Sequence, residues 1–159
     1  MNPRHFLFLA ESLLHEIENE PDPIHDGAKC RTTCNRAYYA AFLVACELFD
    51  ALQLRVPQGA KCHSVVKDGL NNSNVPVLVK ISENLGTLYV GRADADYDMR
   101  NLRMETAAQA KGNVQLARTL ITMLDIIRAG RSNPSLDFNT VASTILAWAK
   151  GAGQPLSRK

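Results

Sequence analysis

Apolar residues recur every three or four positions along almost the whole chain, and no stretch keeps the strict alternation of a half-buried strand. This spacing gathers apolar side chains on one face of a helix. Breaks rich in Pro, Gly or Asn separate the apolar stretches, so the sequence predicts successive helices. They are expected at about Pro3–Asn19, Asp26–Leu54, Ala60–Leu70, Pro76–Asp98, Met104–Ala129 and Phe138–Lys150. The predicted fold is all-α, an antiparallel bundle of four to five helices with an extra C-terminal helix.

The chain has 159 residues, the size of one domain. We expect a helical bundle over residues 1–130, followed over 131–159 by a linker, the last amphipathic helix and a disordered tail. Arg131–Ser135, rich in polar residues and Pro, is the expected linker. The last helix, which carries Trp148, could fold back on the bundle or pack on a second chain. Its extra apolar face and the long apolar helices predict a homodimer.

The net charge is only +2, from 18 basic and 16 acidic residues. Long-range attraction to nucleic acid would therefore require local clustering of charge. No apolar run reaches the length that a bilayer requires, and the first residues lack the apolar core of a signal peptide. We expect a cytoplasmic protein with no membrane contact.

Four cysteines, Cys30, Cys34, Cys46 and Cys62, raise the question of a disulfide or a metal site. Zinc sites usually use closely spaced pairs on turns. Cys34 and Cys46 instead lie among Ala, Tyr and Phe in a predicted helix, where cysteine packs as a small apolar residue. The sequence predicts reduced thiols, no metal and no other cofactor.

A dense cluster of charged and aromatic residues, from Arg92 to Asp98, ends the fourth predicted helix. Arg92 and Asp96 are four positions apart and so lie on one helix face, where their side chains can form an ion pair. One interpretation is a solvated face held together by this pair. The other is a functional site.

A second block, NRAYYAAF, occupies residues 35–42 of the most apolar predicted helix. Tyrosines in an Ala-rich helix are usually core residues, and a buried Arg36 would need a carboxylate such as Asp96. The functional alternative is a polar groove in which arginine clamps a phosphate and tyrosine stacks on a base. Its candidate ligand-binding residues are Arg36, Tyr39, Arg92, Asp96 and Tyr97.

The order of these blocks resembles one family. RAYYAAF, then a histidine in a short helix, then an arginine with a trailing Ala-Asp-Tyr is similar to the short bacterial HEPN-domain proteins, over about residues 1 to 129. The resemblance implies an all-α dimer that acts in a bacterial toxin-antitoxin or defence system. It also implies RNA, a nucleotide or a nucleotidyltransferase-type protein as the candidate partner.

In ribonuclease members of the HEPN superfamily, an arginine is followed on the same helix by a histidine, and dimerisation brings two such pairs into one cleft. The arginine stabilises the phosphate and the histidine moves the proton. Here Tyr97 stands roughly where that histidine would be, and no histidine follows His63. A phenol is a poor general base at neutral pH.

The resemblance together with this departure predicts a binding module for RNA, a nucleotide or a partner protein. The alternative is a metal-independent endoribonuclease with its site around Arg92 at a dimer interface. Its candidate catalytic residues are Arg92, Tyr97 and His63. His63 could approach Arg92 from a neighbouring helix, or it could pack against or cap its own short helix.

Overall fold

The computed structural model describes residues 2–130 and 137–159. Within these ranges the chain is mostly helical, which confirms the main prediction from the sequence. Its α-helices are α1 (Arg4–Asn19), α2 (Asp26–Ala51), α3 (Lys61–Asn71), α4 (Pro76–Tyr97), α5 (Ala107–Arg128) and α6 (Phe138–Gly151). A 3-10 helix spans Leu102–Glu105, and the strands are β1 (Leu54–Arg55) and β2 (Ser157–Arg158). None of the helices in the described part is long and apolar enough to cross a membrane.

Two of the predicted helices have different bounds in the structure. The expected fifth helix begins later, because the 3-10 helix Leu102–Glu105 and an extended Thr106 precede α5. The second helix ends at Ala51, and Leu54–Arg55 form a strand that no alternation in the sequence indicated. Gln53, with a φ of 58°, turns the chain between the two.

The chain divides into two compact units, and the first consists of the residues up to Leu43 together with Leu85–Ile121. It contains α1, the first part of α2, the last part of α4, the 3-10 helix and most of α5. Helix α1 begins as the sequence predicts, since the Asn2 side-chain oxygen accepts a hydrogen bond from the Arg4 main-chain N–H at 3.0 Å. The buried side chains of this unit include Leu14, Tyr38, Leu88, Ala95, Val114 and Leu120.

Gly91 allows a close approach between α4 and α5 within the first unit. A Cβ atom at this position would lie 3.0 Å from the Asn113 side-chain oxygen. The Asn113 amide nitrogen donates to the Gln109 carbonyl at 2.9 Å, so this side chain is already held in place. The glycine therefore permits close packing next to the charged cluster that follows it on α4.

The second unit consists of Val44–Asn84 and the described residues from Thr122 onward. Helix α6 packs against α3 of its own chain, as the first of the two alternatives for this helix predicted. Ile145 is fully buried, and its side chain lies close to Gly69 on α3. Asp137 caps α6 by accepting hydrogen bonds from the main-chain N–H groups of Asn139 and Thr140.

The expected disorder over residues 151–159 is not observed. Ser157–Arg158 pair with Leu54–Arg55 as an antiparallel two-stranded sheet, and the Lys159 N–H donates to the Gln53 carbonyl at 2.9 Å. The polar composition of this tail predicts disorder. The tail is instead ordered by main-chain hydrogen bonds to β1, which do not depend on side-chain identity and so cannot be seen in the sequence. The linker prediction at Arg131–Ser135 lies outside the described residues.

Candidate functional site

Two arginines and three aromatic side chains of the first unit form a row, in the order Arg36, Phe6, Tyr39, Arg92, Tyr97. We call this set, Phe6, Arg36, Tyr39, Arg92 and Tyr97, the cation–aromatic row. The Arg36 guanidinium carbon lies 5.6 Å from the centre of the Phe6 ring, whose centre lies 6.4 Å from that of Tyr39. The Arg92 guanidinium carbon lies 5.6 Å from the Tyr39 ring centre and 5.3 Å from that of Tyr97. The three guanidinium-to-ring distances fall within the range of cation–π attraction.

The row draws on three helices. Helix α1 contributes Phe6, α2 contributes Arg36 and Tyr39, and α4 contributes Arg92 and Tyr97. Residues three positions apart share a helix face, which explains how Arg36 and Tyr39 both lie near Phe6. Phe6 was not among the candidate residues, because only the packing of α1 brings it to this site.

Arg92 is held by a carboxylate and two phenols. Its Nε atom lies 2.8 Å from Asp96 Oδ2, which confirms the ion pair expected from the spacing. Its Nη2 group donates to the hydroxyl oxygens of Tyr39 at 3.2 Å and Tyr97 at 3.5 Å. Burial acts to lower the pKa of Arg92, but Tyr39 and Asp96 outweigh it and raise this pKa above its ordinary value. Arg92 is thus a fixed, charge-balanced cation between two rings.

The expected pair between Arg36 and Asp96 is wrong. Asp96 accepts hydrogen bonds from the Asn35 amide instead, at 2.9 Å to each carboxylate oxygen. One residue along α2 rotates a side chain by about 100°, so Asn35 faces α4 while Arg36 turns toward α1. Among the described residues no carboxylate pairs with Arg36, and its buried Nε has no hydrogen-bond partner there.

The tyrosines divide between core and surface. Tyr38 is fully buried and packs against Phe42 and Tyr89, as expected for a core residue. Tyr97 is 74% exposed, although its ring and hydroxyl are both held by Arg92. An exposed aromatic ring that is already fixed on its inner side provides a stacking surface.

A buried arginine outside the predicted site fixes the end of α4. Arg31 donates from its guanidinium to four main-chain carbonyls, those of Asp94 and Ala95 in the last turn of α4 and those of Asp98 and Asn101 just after it, at 3.1–3.3 Å. Its Nε donates to Glu105 Oε1 at 2.9 Å. We call this set of contacts the Arg31 clamp. No pattern in the sequence indicates these contacts, because main-chain carbonyl acceptors leave no mark there.

The remaining candidate residue, His63, is half-buried on α3, within the second unit. The part of the chain that the structure describes contains no group of three His, Cys, Asp or Glu residues that could hold a metal ion. Its four cysteines are free thiols, and burial raises the pKa of Cys34 to about 12.

No protein-family model matches the chain, and neither does a curated protein or a solved structure. Tyr97 offers one exposed ring face, and Arg92 lies behind that ring. Arg36 is a cation that no carboxylate of the described residues pairs with. Aromatic rings next to cations suit a ligand that combines flat bases with phosphates.

Proposed function

We propose that this chain is a HEPN-type helical bundle that binds single-stranded RNA without rapid cleavage, as a module of a bacterial toxin-antitoxin or defence system. The resemblance of the blocks at residues 35–42 and 92–97 supports the family and the biological setting. The cation–aromatic row supports the ligand, and it is the single observation on which the proposed activity rests.

The row matches the needs of single-stranded RNA in two respects. Unpaired bases stack on exposed aromatic rings, and each such contact contributes about 1–3 kcal/mol to binding. Phosphates are attracted to guanidinium groups, and Arg36 is not neutralised by a carboxylate among the described residues. We assign base stacking to Tyr97 and phosphate binding to Arg36, with Arg92 supporting the Tyr97 ring from behind.

The same row lacks a group suited to proton transfer at neutral pH. RNA cleavage without a metal requires a base to activate the ribose hydroxyl and an acid to protonate the leaving oxygen. The Tyr97 hydroxyl accepts a hydrogen bond from Arg92, and no histidine belongs to the row. We therefore expect this protein to bind RNA without cleaving it rapidly.

Fluorescence polarisation with a labelled, unstructured RNA dodecamer tests the proposal. Tyr97→Ala should weaken binding by about 5- to 100-fold, whereas Tyr97→Phe should retain most of the affinity because the ring remains. Arg36→Met should also reduce the slope of log binding constant against log salt concentration by about the amount that one phosphate contact contributes. Arg118→Met, which removes a cation from an exposed ion pair with Glu11, is the matched control and should have little effect.

Cleavage is tested by incubating the protein with total RNA and a chelator. We expect intact RNA with the unmodified protein, and Tyr97→His tests whether a histidine at this position confers cleavage. If the unmodified protein degrades the RNA, and Arg92→Ala degrades it equally well, both the binding proposal and the assignment of the site are wrong. Cleavage that depends on Arg92 would favour the endoribonuclease alternative.

The proposal includes a homodimer, as the long apolar helices and the last amphipathic helix suggest. Trp148 on that helix is only half-buried in its own chain. Analytical ultracentrifugation at micromolar concentration should give the mass of two chains, and a clean monomer would contradict this part of the proposal.

A further inference from the structure

A pocket of about 200 Å³ lies in the first unit, on the side of α4 away from Arg92. Asp94 lines it and is two residues after Arg92, which places their side chains about 200° apart around the helix. The residues that matter for its chemistry are Gly91, Asp94, Asn101, Arg103, Met104 and Gln109. The pocket is smaller than those that enclose a drug-sized ligand, so it suits a single ring system.

The pocket has an acidic and a basic wall that do not neutralise each other. Asp94 accepts a hydrogen bond from the Asn101 amide at 3.1 Å, which orients its carboxylate. Neither Asp94 nor the exposed Arg103 forms an ion pair with another described residue. One carboxylate and one guanidinium are therefore both available to a ligand in the same pocket.

Apolar surface completes the pocket. Met104 is 3% exposed, and Gly91 places main chain rather than a side chain at the wall. A flat ring can pack against such a surface while its edges form hydrogen bonds. The Arg31 clamp holds the main chain of Asp94 and Asn101, so this wall is fixed before a ligand binds.

We infer that this pocket binds the guanine ring of an unpaired nucleotide. A carboxylate accepts two parallel hydrogen bonds, and among the four RNA bases only guanine presents two adjacent donors, N1–H and the N2 amino group. A guanidinium donates to the O6 and N7 acceptors of the same base. Asp94 and Arg103 supply this pair of complementary groups.

The inference rests on the proposed function in one respect, since it makes the guanine part of a bound RNA strand. Tyr97 follows Asp94 by three residues and therefore lies near it on α4. A strand with one base stacked on Tyr97 can place a neighbouring base in the pocket. The pocket would then give sequence preference to a surface that otherwise binds any single strand.

The test compares three labelled RNA octamers, all-adenine, adenine with one central guanine, and adenine with one central inosine, which lacks the N2 amino group. The unmodified protein should bind the guanine octamer at least about fivefold more tightly than the other two. Asp94→Asn should bind the guanine and inosine octamers equally. Glu18→Gln, which removes a carboxylate paired with Lys111 on the surface, makes the same change in charge and should keep the preference.

A second measurement uses free guanosine and needs no variant. Guanosine added to ¹⁵N-labelled protein should shift the side-chain amide signals of Asn101 and Gln109, and adenosine should not. Binding of guanosine without binding of any octamer would support the guanine pocket and overturn the RNA function. Equal binding of all three octamers, with a dependence on Tyr97, would retain the RNA function and overturn the guanine pocket. Binding of neither guanosine nor an octamer would overturn both.

Discussion

Replacing Arg31 with methionine tests how far one side chain stabilises the end of α4. Arg31 is buried and makes all five of its hydrogen bonds to the last turn of α4, the residues just after it and the 3-10 helix. Methionine fills a similar volume with no donor, so the packing changes little and the hydrogen bonds are lost. The substitution isolates the contribution of the Arg31 clamp.

The size of the effect follows from what each acceptor loses. Three of the carbonyls also accept a main-chain N–H, those of Asp94, Asp98 and Asn101. The Ala95 carbonyl depends on Arg31, and an unpaired buried carbonyl costs about 1–3 kcal/mol. The ion pair with Glu105 contributes less than about 1 kcal/mol, because that carboxylate is 36% exposed. Together with weakening at the shared carbonyls, we expect a loss of about 3 kcal/mol.

Urea unfolding followed by circular dichroism measures this loss, and for a chain of this length the midpoint of thermal unfolding should fall by about 6–12 °C. Hydrogen exchange should accelerate at the Asp98 and Asn101 amides before it does so elsewhere. Lys29→Met is the matched control on the same helix, since its partly exposed pair with Glu16 contributes little. A free energy of unfolding for Arg31→Met within 0.5 kcal/mol of the unmodified protein would refute the reasoning.

Two further predictions concern a helix contact and a helix cap. In urea titrations, Gly91→Ala should destabilise the protein by about 1–3 kcal/mol, because its Cβ would lie 3.0 Å from the Asn113 oxygen. Gly112→Ala is the control: this glycine has open space around it, so the substitution should stabilise the protein by about 0.5–1 kcal/mol. The Thr140 side chain and main-chain hydrogen bonds lower the pKa of Asp137, so its capping contribution is present above about pH 4 and is lost as the pH falls through the lowered value. The hydrogen-exchange rates of the α6 amides should show this loss at low pH, and Asp137→Ala should remove this pH dependence. The same dependence of exchange on pH in the variant and the unmodified protein would contradict the role of the cap.

The helices were predictable from the sequence because their signals are local. Apolar spacing and a capping Asn2 place the start of α1, and Pro76 places the start of α4. The start of α5 was misplaced, because the apolar Met104 continues the helical pattern backward into the 3-10 helix. The strand at Leu54–Arg55 was missed because two residues are too few to show alternation.

Residue spacing predicted contacts of the site only where both partners lie on one helix, whereas Tyr39 and Arg92, which meet across α2 and α4, were grouped through the family resemblance. The spacing of Arg92 and Asp96 predicted their ion pair, which needs no knowledge of other helices. The partner of Asp96 on α2 depends on how that helix is rotated, and this rotation placed Asn35 rather than Arg36 against it. The Arg31 clamp was not predictable for a different reason, since four of its five acceptors are main-chain carbonyls at the end of α4 and just after it.

The cation–aromatic row and the guanine pocket depend on the same buried side chain. The Arg31 clamp binds the main chain from Asp94 to Asn101, the segment that carries the pocket carboxylate and, at Tyr97, the stacking ring. A surface fixed before binding loses less conformational entropy when the ligand arrives. On the proposed function, Arg31→Met should therefore weaken binding of guanine-containing and all-adenine RNA alike, although Arg31 itself is too deeply buried to touch either. Tyr97→Ala should likewise weaken both, whereas Asp94→Asn should affect only the first, so the three variants together distinguish a positioning residue from the groups that contact RNA.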